Sequence, residues 1–101
     1  MTDAINKIYV GQSNIRIYVS TGADITGYNT VQIEVRQPSN STTSWTATVN
    51  NASTGSLYYD VPTSTTLVSE GVYLLQPYIG FTDSTTSYGT TTEMRVYPLF
   101  S

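Results

Sequence analysis

The chain has 101 residues, carries seven carboxylates against four cations for a net charge of −3, and contains neither cysteine nor histidine. That length accommodates a single domain, and the two missing residue types exclude disulfides, thiolate sites, most catalytic triads and the usual general base near neutral pH. Lys7, Arg16, Arg36 and Arg95 are too few and too scattered to neutralise a phosphate backbone or an anionic bilayer, so neither nucleic acid nor membrane is an expected partner.

About three residues in ten are Ser or Thr and nine are Tyr, a composition suited to pleated, half-buried strands joined by short polar turns. A short arm over about 1–6 precedes a first strand predicted at Lys7 to Val10, closed by Gly11. Two strictly alternating strands follow. Ile15, Ile17 and Val19 share one face of the first, and Val31, Ile33 and Val35 share one face of the second. A period of two places Arg16, Tyr18, Gln32, Glu34 and Arg36 on the opposite side.

Thr43 to Asn50 is predicted as one further strand with Trp45, Ala47 and Val49 inward, and Asn50 to Gly55 as a hairpin connection. Ser56 to Val61 continues with Leu57, Tyr59 and Val61 inward and Tyr58 outward. Gly71 to Thr82 is apolar on both sides: Tyr73, Leu75, Ile79 and Phe81 on one face, Val72, Leu74 and Tyr78 on the other. Pro77 inside it lacks a ladder donor and predicts a bulge or an edge position. Asp83 to Gly89 is read as a polar turn, and Glu93 to Phe100 as the last strand with Met94 and Val96 inward.

About seven short strands with regular turns predict an all-β antiparallel sandwich spanning residues 1–101. Leu67, Gly71 and Tyr73 have the spacing of a tyrosine corner, which favours an immunoglobulin-like version; the plainer reading is a core tyrosine at a strand start.

The acids do not make a reactive pair. Glu34 with Arg36, and Glu93 with Arg95, suit surface ion pairs, while the other carboxylates fall in or beside turns that Asp caps. Asp24-Ile25-Thr26-Gly27 interrupts the aspartic-protease Asp-Thr-Gly with an isoleucine, and no dense Asp/Asn loop offers the roughly six to eight oxygens that calcium takes. No catalytic, cofactor-binding or metal-binding residue is therefore expected. Met1-Thr2-Asp3-Ala4 lacks the basic region and apolar core of a signal peptide, and no apolar run approaches the roughly 20 residues of a membrane span. Without export, the sequons at Asn40 and Asn51 read as polar turn residues.

Asp24-Ile25-Thr26-Gly27 before Val31-Gln32-Ile33-Glu34-Val35-Arg36-Gln37-Pro38, followed by Gly71-Val72-Tyr73, resembles the immunoglobulin-like domain at the N-terminus of bacteriophage baseplate upper proteins and small phage structural relatives. The resemblance spans about Lys7 to Val96. It implies a non-enzymatic virion component, made in the host cytoplasm, that assembles with other virion proteins and with copies of itself in a capsid decoration, collar or baseplate. It has no catalytic residues to carry over. The chain stops at Ser101, whereas baseplate upper proteins continue into long coiled-coil or receptor-binding segments.

Candidate contact residues are the outward apolar side chains Val72, Leu74 and Tyr78, together with Tyr97, Leu99 and Phe100 in a tail over about 97–101. Tyrosines bury large area at low entropic cost, and apolar side chains on both faces of one strand call for a cover. The tail either docks on its own sandwich or on a neighbouring subunit. The competing class is an extracellular adhesion or carbohydrate-binding module, in which Trp45 or outward Tyr rings stack on sugars.

Overall fold

The computed structural model describes residues 8–63 and 66–100; the arm over 1–6, Lys7 and Ser101 lie outside the described residues. Among the described residues nine strands form: β1 (Ile8–Tyr9), β2 (Arg16–Ser20), β3 (Tyr28–Arg36), β4 (Thr42–Thr46), β5 (Thr48–Asn51), β6 (Ser56–Asp60), β7 (Gly71–Phe81), β8 (Thr86–Tyr88) and β9 (Thr92–Tyr97). One sheet has the order β1-β9-β7-β3-β4 with β8 also on β7, and the other has the order β2-β6-β5. The alternation predicted for β2, β3, β6 and β7 sends Ile17, Val19, Ile33, Val35, Leu57, Tyr73, Leu75 and Ile79 into one shared core between the sheets. Each such aliphatic side chain contributes about 1.5–3 kcal/mol on burial. The fold is an all-β, immunoglobulin-like sandwich.

The tyrosine corner forms. The Tyr73 hydroxyl donates to the Ser69 carbonyl at 2.8 Å and accepts from the Ser69 N–H at 3.3 Å, while Leu67 is fully buried beside it. Burial raises the Tyr73 pKa, partly offset by the Ser69 N–H. The hydroxyl thereby satisfies two backbone groups where the chain enters β7.

Four features depart from the sequence-based expectation. The predicted strand Thr43 to Asn50 is two strands, β4 in the larger sheet and β5 in the smaller, with Ala47 alone between them. Thr86 to Tyr88, read as turn, adds a short strand against Tyr78 to Gly80. These two changes raise about seven strands to nine. The antiparallel expectation also fails at one pair, because β1 runs parallel to β9 with Ile8 opposite Val96.

Pro77 is the fourth. It lies in a central strand opposite Ile33 of β3, in a stretch of regular register from Val31–Ile79 to Arg36–Leu74; the irregularity in this ladder falls farther along, between Tyr28 and Thr30. Its carbonyl accepts from Gly89 N–H at 2.9 Å on the far side, where β7 passes from β9 (paired at 71–75) to β8 (paired at 78–80). N and C=O of a strand residue point the same way. The missing donor therefore falls in the gap between two short neighbours, so a bulge is unnecessary. Gly89 is required there, since a Cβ would come within 2.7 Å of the Pro77 ring.

The hairpin between β5 and β6 closes on Gly55, which has a φ of 74° and whose N–H donates to the Ala52 carbonyl. A Cβ on Gly55 would stand 2.0 Å from Thr21 Oγ1 and 2.1 Å from the Ala23 carbonyl oxygen. The loop between β2 and β3 thus packs directly on this hairpin.

Candidate interaction surfaces

Asp24, Glu34, Asp60 and Asp83 are engaged in structure. Asp24 Oδ1 accepts from the Thr26 N–H and hydroxyl, and Asp83 Oδ1 accepts from the Thr85 N–H and hydroxyl, the turn-capping role expected of loop acids. In each case the threonine hydroxyl and then its N–H hold the carboxyl below its ordinary range. Among the described residues the ion pair that forms is Arg16–Asp60, a two-pronged contact at 2.7 and 3.1 Å across β2 and β6. It raises the Arg16 pKa and lowers that of Asp60.

The pairs expected at Glu34–Arg36 and Glu93–Arg95 do not form. Residues two apart on a strand are separated by roughly 6–7 Å along the chain, so cross-strand partners compete better. Glu34 instead accepts from the Ser44 hydroxyl at 2.8 Å. Among the described residues no three His, Cys, Asp or Glu side chains gather in a way that could hold a metal ion.

Val72, Leu74 and Tyr78 share the outer face of β7, as predicted, with Gln76 between Leu74 and Tyr78. All three are half-buried. The register sets Arg95 beside Val72, and Glu93 and Arg36 on either side of Leu74. Long charged side chains can shade such apolar residues with their stems while keeping their heads in water. Tyr78 packs against Tyr88 with ring centres 5.3 Å apart and borders an open depression with Gln32, Glu34, Ser44 and Thr86.

The remaining predicted contact residues lie elsewhere. Tyr97 ends β9, one strand in from the β1 edge, with its ring 6.4 Å from that of Tyr9. Leu99 and Phe100 lie beyond β9 and are 60% and 103% exposed. Of the predicted tail, Tyr97 is thus seated on the chain's own sandwich as the end of β9, whereas Leu99 and Phe100 are not.

Tyr18 and Tyr58 are outward tyrosines as expected, but their meeting with Arg16, like the outer edge of β4, is not read from the sequence. On the outer face of the smaller sheet, Arg16 lies 3.9 Å over the ring of Tyr58, beside Tyr18, which is 59% exposed. That cluster becomes visible only once the register sets Tyr18 opposite Tyr58. The outer edge of β4 pairs with no further strand among the described residues, and Thr42, Thr43, Ser44 and Thr46 are all exposed there.

Among the described residues the paired tyrosine rings do not form a coplanar row. Trp45 is 6% exposed and stacked on Tyr59, so it is withdrawn from the surface. The pairs Tyr9–Tyr97, Tyr18–Tyr58 and Tyr78–Tyr88 are tilted by 55°, 59° and 57° rather than coplanar.

Among solved structures the chain is similar to the crystal structure of CopC from Methylosinus trichosporium OB3b, with a TM-score of 0.56 over 94% of this chain and 87% of that one. The likeness is one of fold. At 17% identity it extends to the sandwich and no further. No protein-family model matches the chain, and no curated protein matches it.

Proposed function

We propose that the protein is a non-enzymatic structural component of a bacteriophage virion, acting by assembly with other virion proteins and with copies of itself. The observation that carries this reading is the apolar segment Leu99–Phe100, held off the sandwich and open to solvent. Phe100 has a φ of 66°, a left-handed backbone that bulky residues seldom adopt. A large aromatic side chain without cover is the kind of anchor that fills a pocket on a partner. The engagement of Asp24, Asp60 and Asp83 in turns and an ion pair leaves these acids in architectural roles. The phage character itself rests on the resemblance of the Asp24-Ile25-Thr26-Gly27 and Gly71-Val72-Tyr73 segments.

The sugar-binding alternative is weakened by the burial of Trp45 and the tilt of the tyrosine pairs. Mass spectrometry of purified particles from the source tests the main reading: the protein is expected in them, and its absence from every particle would overturn it. Deleting Leu99 to Ser101 is expected to leave the domain folded while abolishing assembly. A deletion variant that fails to fold would return the tail to the core.

A further inference from the structure

The edge strands of the two sheets differ in how they are protected against pairing. β1 has two residues and β8 three, β2 carries the charged Arg16, and β5 is broken by a register shift between Val49 and Asn51. β4 has none of these devices. Thr42-Thr43-Ser44-Trp45-Thr46 contains no charge, proline or glycine, and pairs with β3 in unbroken register. Natural sheets normally blunt such an edge with charge, proline or a bulge.

The hydrogen-bond phase of this edge is determined by its flanks. Gln37 N–H donates to the Ser41 carbonyl, and Ala47 N–H donates to the Val31 carbonyl. In an antiparallel ladder the bonded pairs alternate, so Thr43 and Trp45 bond to β3 while Thr42, Ser44 and Thr46 direct N–H and C=O away from it. Pro77 opposite Ile33 agrees, because it requires Ile33 to bond toward β4 rather than β7.

We propose that β4 pairs with β4 of a second copy of this chain about a two-fold axis through Ser44. Antiparallel pairing centred there sets Ser44 against Ser44 and Thr42 against Thr46, twice. Every outward-facing residue meets another outward-facing residue, giving about six backbone hydrogen bonds at two per pair. Because the edge is uncharged, no like charges oppose each other across the axis, and the Thr–Thr pairs on the outer face are favourable cross-strand neighbours. The two larger sheets become one continuous sheet across an isologous two-fold interface, the commonest symmetry among homo-oligomers. The inference specifies how copies meet within the assembly reading, yet its geometry depends only on the β4 register.

The test uses the full chain. Sedimentation across a concentration series is expected to show a rise from the chain mass to twice that mass. Ser44→Pro removes an N–H that β3 does not use and is expected to keep the thermal midpoint while holding the protein at the chain mass. Ser44→Cys introduces the sole cysteine of the chain, about 5.5 Å from its symmetry mate between Cα atoms and within disulfide range. Mild oxidation is expected to link it into dimers far faster than Thr54→Cys on the exposed hairpin. A chain mass at every concentration, or equal linking rates for the two cysteines, would overturn the pairing. Either result would leave the virion reading standing if the protein is still found in particles.

Discussion

The indole of Trp45 lies flat on the ring of Tyr59, with centroids 4.5 Å apart and planes 10° from parallel. Trp45 belongs to β4 of the larger sheet and Tyr59 to β6 of the smaller, so one aromatic stack joins the two layers. Burial accordingly raises the Tyr59 pKa.

Trp45→Ala is expected to cost about 3–5 kcal/mol in chemical denaturation, the range for emptying a buried aromatic site. Native tryptophan emission is expected to be blue-shifted and to remain unchanged on adding oligosaccharides. A saccharide-dependent shift would revive the sugar-binding reading.

Tyr73→Phe removes the hydroxyl that serves Ser69 N–H and C=O and keeps the ring in the core. A loss of about 1–3 kcal/mol is expected from leaving these partly buried backbone groups unpaired. A denaturation midpoint equal to the parent's would show that the corner does not contribute to stability.

Gly55→Ala places a methyl group against Thr21 Oγ1 and the Ala23 carbonyl while requiring a left-handed backbone. The backbone strain alone costs on the order of 1–3 kcal/mol, and the clash adds to it. Thermal melts are expected to show a large drop. Gly22→Ala, also at positive φ but with open space around it, should show a smaller one.

Asp24, Asp60 and Asp83 hold their protons less tightly when folded than an ordinary aspartate. The unfolded chain therefore binds more protons as the pH falls, and stability rises with pH in that window. Their contribution is fully present above the unfolded value of about 3.9 and is lost as the pH drops through the lower folded values. With no histidine in the chain, thermal midpoints are expected to be nearly flat between about pH 5 and 8 and to fall modestly below about pH 4, since all three carboxylates are exposed and screened by solvent. The combined Asp24→Asn, Asp60→Asn and Asp83→Asn variant should have a shallower acid limb; an unchanged limb would assign the acid sensitivity elsewhere.

The strands with one wet face were legible from alternation alone, as Ile17 and Val19 in β2 or Val31, Ile33 and Val35 in β3 demonstrate. The division of β4 from β5 was not. Both sheets face the same core, so Trp45, Ala47 and Val49 keep pointing inward while the chain changes layer. β8 left no trace because Thr86, Ser87 and Tyr88 are all exposed and carry no period. Pro77 misled because a proline's effect depends on which side its nitrogen faces, a property of the register rather than of the residue. The same limit hid Arg16–Asp60, whose partners are 44 positions apart, and the free groups of Thr42, Ser44 and Thr46. Among the candidate contact residues, chain pattern located the outer row Val72, Leu74 and Tyr78 on β7. It left open where Leu99 and Phe100 rest, which packing alone decides.

Ala47 makes residues 42–51 a single run that edges both sheets. A pull on β4 is therefore carried into the smaller sheet through peptide bonds as well as through contacts across the core. Drawing the layers apart from that side requires stripping β4 from β3 or β5 from β6, so tension along this seam is opposed by ladders of hydrogen bonds. The seam is a covalent strap, placed on the flank where a neighbouring copy would take hold.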